Sequence, residues 1–199
     1  MAGYDSRSTM VELTCTPESA KTMSAPVLFV MVGLPASSKS TRDQQIEEEQ
    51  RALRLTPDEW MIPLFNDNDA NGKRNVLEGR FIWLALRALR HGLDVVLDFG
   101  VWGKDERTAL RALAAEVGAS CKLVYLEIDE DQQRRRRDRR GSEEPETTFH
   151  ITDEDLDEYR RRFVPRDDAE LSTAVLDPPP AGYTSWSSWA SEWWPTSMQ

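Results

Sequence analysis

The sequence predicts an α/β fold of three layers, in which helices cover both faces of a central parallel sheet of about five strands. Two observations lead to this prediction. Short apolar runs alternate along the chain with longer stretches that are compatible with helices, an order that is typical of parallel sheets. The first run, Val27–Val32, is rich in branched and aromatic side chains, as expected of a strand that is buried on both faces.

Each strand or helix is predicted from the pattern of its apolar residues and from the glycine or proline residues at its ends. Pro26 precedes the first strand, and Gly33–Ser38 ends it. The longest helix has apolar residues at gaps of three and four, and Gly92 follows it as a stop signal. The predicted strands are Val27–Val32, Ala52–Thr56, Leu93–Asp98 and Cys121–Ile128. The predicted helices are Lys39–Arg51, Arg74–His91, Asp105–Val117, Asp129–Arg140 and Thr152–Arg162.

Composition divides the chain into three parts. Met1–Ala25 is polar and without a regular period, so we predict a flexible leader, followed by one domain over 26–176. Pro178–Pro180 marks the start of a Pro- and Trp-rich tail, 177–199. Three of its tryptophans, Trp186, Trp189 and Trp193, would form one stripe on a helix. We expect this stripe to pack on the domain, with a dimer or partner contact as the alternative.

Charge and composition exclude several classes of protein. The 25 Lys and Arg residues stand against 35 Asp and Glu, which gives a net charge of −10. This balance disfavours general binding to nucleic acid or to anionic membranes. The N-terminal residues lack the apolar stretch of a signal peptide, so a cytoplasmic location without a membrane partner is expected. Cys15 and Cys121 lie far apart and only two histidines accompany them, which argues against a disulfide framework and a zinc site.

The loop after the first strand carries the main chemical signal. Gly33-Leu34-Pro35-Ala36-Ser37-Ser38-Lys39-Ser40 matches the phosphate-loop pattern G-x-x-x-x-G-K-[ST] except that Ser38 replaces the second glycine. Backbone amides and the helix N-terminus would hold phosphates, Lys39 would reach the β- and γ-phosphates, and Ser40 would offer its hydroxyl to Mg²⁺. If Ser38 needs a positive φ, the conformation costs about 1–2 kcal/mol. The predicted nucleotide-binding residues are Gly33, Pro35, Ala36, Ser37, Ser38, Lys39, Ser40 and Thr41.

With this loop, roughly Val27 to Leu171 resembles the small P-loop kinases, which include chloramphenicol phosphotransferase, zeta-toxin-type kinases and polynucleotide kinase. The resemblance implies a P-loop NTPase fold with an AAA-type ATP-binding domain. It also implies that Asp58, in Thr56-Pro57-Asp58-Glu59-Trp60, is the base toward the substrate hydroxyl. Asp98, at the end of an apolar strand, would lie near Mg²⁺ or substrate. The alternatives are that Asp58 caps a helix and that Asp98 is an ordinary loop residue.

The resemblance assigns further residues to the substrate and to a lid. Trp60, Trp102 and Arg107 would lie on the substrate side, although packing in the core or a solvated helix face is the alternative for each. Six arginines crowd the helix after the fourth strand, and the lid pattern R-x-x-x-R fits Arg136 and Arg140. These two lie four residues apart, on one helical face, where a guanidinium can donate two bonds to phosphate oxygens. A solvated face is again the alternative.

The sequence and the resemblance together predict an ATP-dependent kinase that phosphorylates a hydroxyl of a small molecule with the help of Mg²⁺. An antibiotic or a nucleotide-like metabolite is among the acceptors that the resemblance implies. The guanine signature N-K-x-D is absent, which favours ATP over GTP. A catalytically silent nucleotide-binding or regulatory protein is the alternative that Ser38 motivates. A polynucleotide 5′-hydroxyl kinase is a weaker one, because nucleic acid is disfavoured by charge. The acceptor and the oligomeric state stay open.

Overall fold

A computed structural model describes residues 25–67, 69–143, 151–167, 170 and 176–198. The predicted leader, apart from Ala25, lies outside the described residues. The strands are β1 (Val27–Val32), β2 (Leu53–Leu55), β3 (Val95–Gly100) and β4 (Ser120–Tyr125). The helices are α1 (Lys39–Gln50), α2 (Pro57–Phe65), α3 (Lys73–Arg90), α4 (Lys104–Glu116), α5 (Glu130–Glu143), α6 (Asp153–Arg162) and α7 (Trp186–Trp193).

The sheet is parallel throughout its described part, with the strand order β2-β3-β1-β4. Strand β1 pairs with both β3 and β4, so the phosphate loop that follows it lies near the centre of the sheet's carboxyl edge. The described residues hold four strands where about five were predicted. After β4 the described chain instead forms the helices α5, α6 and α7.

Alternate side chains of β1 enter two separate cores, which confirms the three-layer α/β architecture. Leu28, Val30 and Val32 belong to the larger core, which also receives the apolar faces of α3 and α4. Phe29 and Met31 point to the opposite face and pack in a smaller core with α1. Because successive side chains of a strand alternate between faces, helices on both sides are required to bury this run.

The limits of the elements differ from the predictions by a few residues. Strand β3 runs two residues beyond Asp98, so this aspartate lies inside the strand. Helix α2 begins at Pro57 and had not been predicted as a separate element, although proline at the first helical position favours it. Thr152 and Asp155 form the predicted capping box of α6. Within the described residues, the search for a helix long and apolar enough to cross a membrane finds none.

The aromatic tail packs against the helices of the larger core. The rings of Trp186 and Trp189 meet edge to face at 5.7 Å, and Trp194 is 2% exposed. Ser187 donates a hydrogen bond to Glu116 at the end of α4. The tail therefore covers part of the face that α3 and α4 would otherwise expose, and it ends beside the carboxyl edge of the sheet.

Candidate active site

The phosphate loop begins at Gly33, directly after β1. A Cβ atom at this position would lie 2.7 Å from the carbonyl oxygen of Leu126, so only glycine fits there. Within the loop, the amide of Ser37 donates to the carbonyl of Leu34 at 3.3 Å. The ammonium of Lys39 donates to the same carbonyl at 2.9 Å. A bound phosphate would compete with this carbonyl for Lys39, because an ammonium group prefers an anionic oxygen.

Ser38 adopts the left-handed conformation that the missing glycine would adopt without strain. Its φ is 69° and its ψ is 27°, and it precedes the first residue of α1. Ala36 has a φ of 63°, so two side-chain-bearing residues of the loop lie in the left-handed region. A non-glycine residue there costs about 1–2 kcal/mol. The substitution therefore keeps the shape of the loop and strains it.

The electrostatic surroundings of Lys39 fit a phosphate-binding lysine. Burial lowers the pKa of Lys39, and the carboxylates of Asp98, Asp58 and Asp43 act in the opposite direction. Arg140 adds to the lowering of the pKa of Lys39 through charge repulsion. Asp98 and Asp58, which were predicted, and Asp43, which was not, thus all act electrostatically on the predicted lysine.

Asp98 and Asp43 form a buried pair of carboxyl groups beneath the loop. Both are nearly inaccessible, at 7% and 0% exposure. Burial and the neighbouring Asp98 raise the pKa of Asp43 to about 7, against the pull of Arg54, whose Nη1 lies 3.4 Å from Asp43. The hydrogen bond between the two groups acts to raise the pKa of Asp43 and to lower that of Asp98. One proton is thus retained by the pair near neutral pH.

The donor set fits Mg²⁺ as the resemblance implies it. Asp98 Oδ1 is buried and has no hydrogen-bond partner in the described part of the chain. Ser40 lies half-buried in the first turn of α1. No group of three or more His, Cys, Asp or Glu side chains suited to a metal occurs among the described residues. The orphaned Asp98 oxygen and the Ser40 hydroxyl are of the kind that fits Mg²⁺, which proteins bind through one or two oxygen side chains while substrate phosphates and water supply the rest.

Asp58 lies in the first turn of α2 and remains accessible to an acceptor. Its side chain is 59% exposed and accepts a hydrogen bond of 2.8 Å from Arg74 Nη1. Arg74 also donates to Glu78 at 3.0 Å. Burial, together with Glu106, raises the pKa of Glu78 to about 7, although Arg74 and Trp194 oppose the shift. The arginine thus orients the candidate base and links it to a second carboxyl group.

Helix α5 contacts the phosphate loop through two side chains. Arg136 Nη1 donates to the hydroxyl of Ser38 at 2.8 Å. The fully buried Gln133 donates to the carbonyl of Pro35 at 3.0 Å. Arg136 therefore lies where the lid pattern places an arginine, and Gln133 provides a second anchor. The remaining carbonyl oxygen of Gln133 has no partner among the described residues.

Two other arginines of α5 form ion pairs with the neighbouring helix α6. Arg134 Nη2 lies 2.8 Å from Asp157, and Arg137 Nη2 lies 2.8 Å from Asp153. Both acidic partners belong to α6, so these ion pairs link the two helices. Arg139 faces solvent beside Glu143 of its own helix. The solvated-face interpretation thus describes part of the cluster, whereas Arg136 contacts the phosphate loop and its role as a lid arginine stays a prediction.

A cavity of about 940 Å³ opens between the loop and the tail. Pro35 of the phosphate loop, Gly100 at the end of β3 and the candidate base Asp58 line one side. Charged side chains and six aromatic residues contribute to the rest of the lining, the aromatic ones being Phe99, Trp102, Tyr159, Trp189, Trp193 and Trp194. The candidate base and the phosphate loop therefore face one space, large enough for a small molecule.

The three predicted substrate residues have different surroundings. Trp102 lines the cavity, and its indole donates to the carbonyl of Gly33 at 3.3 Å. Trp60 packs edge to face on Phe81 at 5.3 Å and is not among the residues that line this cavity. Trp60 is 48% exposed, so the contact with the core ring of Phe81 covers only part of its side chain.

Arg107 requires a correction, because the expected substrate contact is replaced by a buried ion pair. The side chain is fully inaccessible. Its Nε lies 2.7 Å from Glu170, and its Nη1 donates to the carbonyls of Trp102 and Val164 at 3.0 Å each. Arg107 therefore fixes the loop before α4 against the segment after α6, and we assign it a structural role.

Four residues of the site escaped the sequence analysis: Asp43, Arg74, Glu78 and Gln133. Asp43 lies one helical turn after Lys39, which is the only sequence signal that could have indicated it. Arg74 meets Asp58 across sixteen positions, and Gln133 meets Pro35 across ninety-eight. Contacts of this separation depend on the topology of the sheet, which the local pattern does not contain.

Known proteins resemble this chain in sequence family and in fold. The family model AAA_33, described as an AAA domain, matches residues 28–166. No curated protein matches the chain. Among solved structures, a protein of Chloroflexus aurantiacus j-10-fl assigned as a kinase has a TM-score of 0.59 at 18% identity, covering 71% of this chain and 79% of its own.

Two further structures share the fold over most of their length. Kti12 of Chaetomium thermophilum, solved with ADP-AlF3, has a TM-score of 0.58 at 14% identity, with 84% of this chain and 95% of that chain covered. A sugar kinase of Janibacter sp. HTCC2649 has a TM-score of 0.53 at 16% identity, with coverages of 88% and 98%. At these identities the likeness shows a common fold, that of kinase-like P-loop domains.

Proposed function

Because the chain belongs to the AAA_33 family of AAA domains, with a kinase-like P-loop fold, we propose that it is an ATP-dependent kinase acting on a hydroxyl of a small molecule. One observation carries the proposal: Asp58 and the phosphate-loop residue Pro35 line the same cavity. A kinase needs a carboxylate near the transferable phosphate and space for the acceptor beside it. The sugar kinase among the structural neighbours supports a small acceptor.

In this proposal the residues of the site have four roles: phosphate binding, metal binding, proton acceptance and stabilisation of negative charge. The loop amides and Lys39 hold the phosphates, while Ser40 and Asp98 would hold Mg²⁺, which would supply charge neutralisation when bound. Asp58 accepts the proton of the acceptor hydroxyl as that oxygen bonds to the γ-phosphorus and the bond to ADP breaks. Arg136 and Arg140 offer positive charge on the lid side. Catalysis of this kind relies on positioning and electrostatics.

A catalytically silent nucleotide-binding protein is the second candidate. Two observations favour it: Ser38 is strained, and its hydroxyl and the Lys39 ammonium are already engaged by Arg136 and the Leu34 carbonyl. Nucleotide binding would have to replace both contacts. This candidate predicts nucleotide binding without phosphoryl transfer to any hydroxyl compound.

Calorimetric titration with Mg²⁺–ATP, with Lys39→Ala as the control, is the first test. We expect binding by the native chain and its loss in the variant, because Lys39 supplies the buried charge for the phosphates. Acceptor-dependent release of ADP is then measured across a panel of hydroxyl compounds. Failure of the native chain to bind Mg²⁺–ATP at millimolar concentration would contradict both candidates.

Asp58→Asn separates the kinase from the silent protein. The variant keeps the shape of the side chain and the contact with Arg74 but cannot accept a proton. We expect the turnover of the best acceptor to fall about 10²–10⁴-fold, with the affinity for ATP nearly unchanged. Asp157→Asn, which removes a carboxylate from the surface of α6, is the matched control. Full activity of Asp58→Asn would remove this residue from the mechanism.

A further inference from the structure

The cavity beside the phosphate loop has a negative balance of charge. Its basic residues are Arg74, Lys104 and Arg162. Its acidic residues are Asp58, Asp69, Glu78, Asp105 and Glu106. Five carboxyl groups therefore face three cationic groups in the lining. The charge of the whole chain, −10, has the same sign.

Two of the three cations already have anionic partners. Arg74 lies between Asp58 and Glu78, as described above. Lys104 lies 2.7 Å from Asp167 and 3.0 Å from Asp177. An anionic acceptor would have to compete with these carboxylates for each cation.

The third cation, Arg162, lies against one of the aromatic rings that line the cavity. Its guanidinium lies 5.6 Å from the centre of the Trp102 ring, and Trp102 itself packs on Tyr159 at 5.0 Å. The faces of aromatic rings attract cations through their quadrupole. A protonated amine beside these rings would gain the same stabilisation.

Trp193 of the tail adds a further aromatic ring to the lining of the cavity, beside Trp102 and Tyr159. Half of its surface is exposed, at 50%, and its ring stacks on Trp189 with 5.3 Å between the centres. Its indole donates to Glu106 Oε1 at 3.1 Å, while Glu106 Oε2 accepts from the backbone of Trp102 at 3.0 Å. One carboxylate thus holds both tryptophans, so the exposed ring has a fixed position beside negative charge.

We propose that the acceptor is an alcohol that carries a protonated amine and a flat apolar ring, and that Trp193 of the tail contacts this ring. The amine is recognised by the carboxylates and ring faces of the cavity, and the hydroxyl lies toward Asp58. The inference rests on the proposed kinase function. It also disfavours a polynucleotide acceptor, whose phosphates would meet a negative lining.

Three compounds with one ring and one hydroxyl test the charge class: phenylalaninol, 3-phenylpropan-1-ol and 3-phenyllactate, which are cationic, neutral and anionic. Binding to the full chain in the presence of Mg²⁺–ADP is measured by ligand-observed NMR titration at one fixed pH near neutrality. We expect phenylalaninol to bind roughly threefold to tenfold more tightly than the neutral compound, with phenyllactate the weakest. Equal binding of all three, tighter binding of phenyllactate, or no binding of phenylalaninol would overturn the proposal.

Two variants test the residues, each with a matched control. Trp193→Ala should weaken the binding of phenylalaninol roughly threefold to tenfold. Trp83→Ala, which removes a ring flanked by Arg80 and Arg87 on α3, should leave this affinity unchanged. Asp105→Asn should weaken the binding of the cationic compound and leave the other two affinities unchanged. Glu48→Gln on α1 should change none of the three affinities. Equal effects in variant and control would overturn the assignment.

The same samples distinguish this proposal from the kinase function itself. If Mg²⁺–ATP binds but the charge series shows no preference for the amine, the acceptor class is wrong and the kinase proposal stands. If Mg²⁺–ATP does not bind, the kinase proposal fails at its first step, whatever the three compounds show.

Discussion

Arg136 of the lid helix donates a hydrogen bond of 2.8 Å to Ser38, the residue at which the phosphate loop departs from its motif. A glycine could not accept this bond. The departure thus links the loop to α5 while placing a side chain in a left-handed conformation. The backbone strain at Ser38 and its hydrogen bond with Arg136 thus both result from serine at this position, and different substitutions can separate the two effects.

Ser38→Gly should stabilise the fold relative to Ser38→Ala. Both variants remove the hydroxyl that Arg136 binds, but only glycine relieves the strain of about 1–2 kcal/mol. Its greater freedom in the unfolded chain offsets about 0.5–1 kcal/mol, so a net difference of about 1 kcal/mol is expected in denaturant unfolding. Equal stability of the two variants would show that the positive φ is not costly here.

Arg107→Ala should destabilise the protein by about 3–5 kcal/mol, because it leaves the Glu170 carboxylate buried without its guanidinium. Chemical denaturation measures the effect. Lys104→Ala, which removes a half-exposed cation from the same helix, should cost less than about 1 kcal/mol. Similar losses in the two variants would contradict the structural role assigned to Arg107.

Glu78 should make stability depend on pH between about 4.5 and 7. Burial raises its pKa in the folded protein from 4.5 to about 7, so the native state binds more protons than the unfolded state over this interval. Stability from this group is therefore greatest below pH 4.5 and falls as the pH rises toward 7. Glu78→Gln should be more stable than the native chain at pH 8, with the gain vanishing near pH 4.5. Parallel curves of unfolding free energy against pH for both proteins would refute this.

Gly79→Ala should displace the tail from the domain. A Cβ atom at this position of α3 would overlap the carbonyl of Pro195 and press on that of Trp194. Since Trp194 is almost fully buried, its exposure should shift tryptophan fluorescence to longer wavelength and lower stability by about 2 kcal/mol or more. Gly141→Ala in α5, where nothing lies within 4 Å, should be neutral or slightly stabilising. An unchanged spectrum in Gly79→Ala would mean that the tail does not depend on this contact.

Local patterns predicted the parts of the site that depend on local geometry. The loop from Gly33 to Ser40 follows a buried strand and begins a helix, so its position needed no knowledge of the rest of the chain. Arg107 shows the limit: its neighbours in sequence suggested a substrate contact, but its partner Glu170 lies sixty-three positions away. Asp58 was predicted, whereas Arg74, which orients it, was not, because their contact depends on how α2 and α3 pack.

The placement of the tail has a consequence for how this protein could change over evolutionary time. Trp193 and Trp194 follow the segment 28–166 that matches the family, and they rest on α3 and α4 and not on the phosphate loop. A substitution at Trp193, which is half exposed, can therefore reshape one wall of the cavity while the phosphate-binding half stays intact. Under the proposed kinase function, drift at this exposed position would alter the choice of acceptor without disturbing the residues that hold the phosphates.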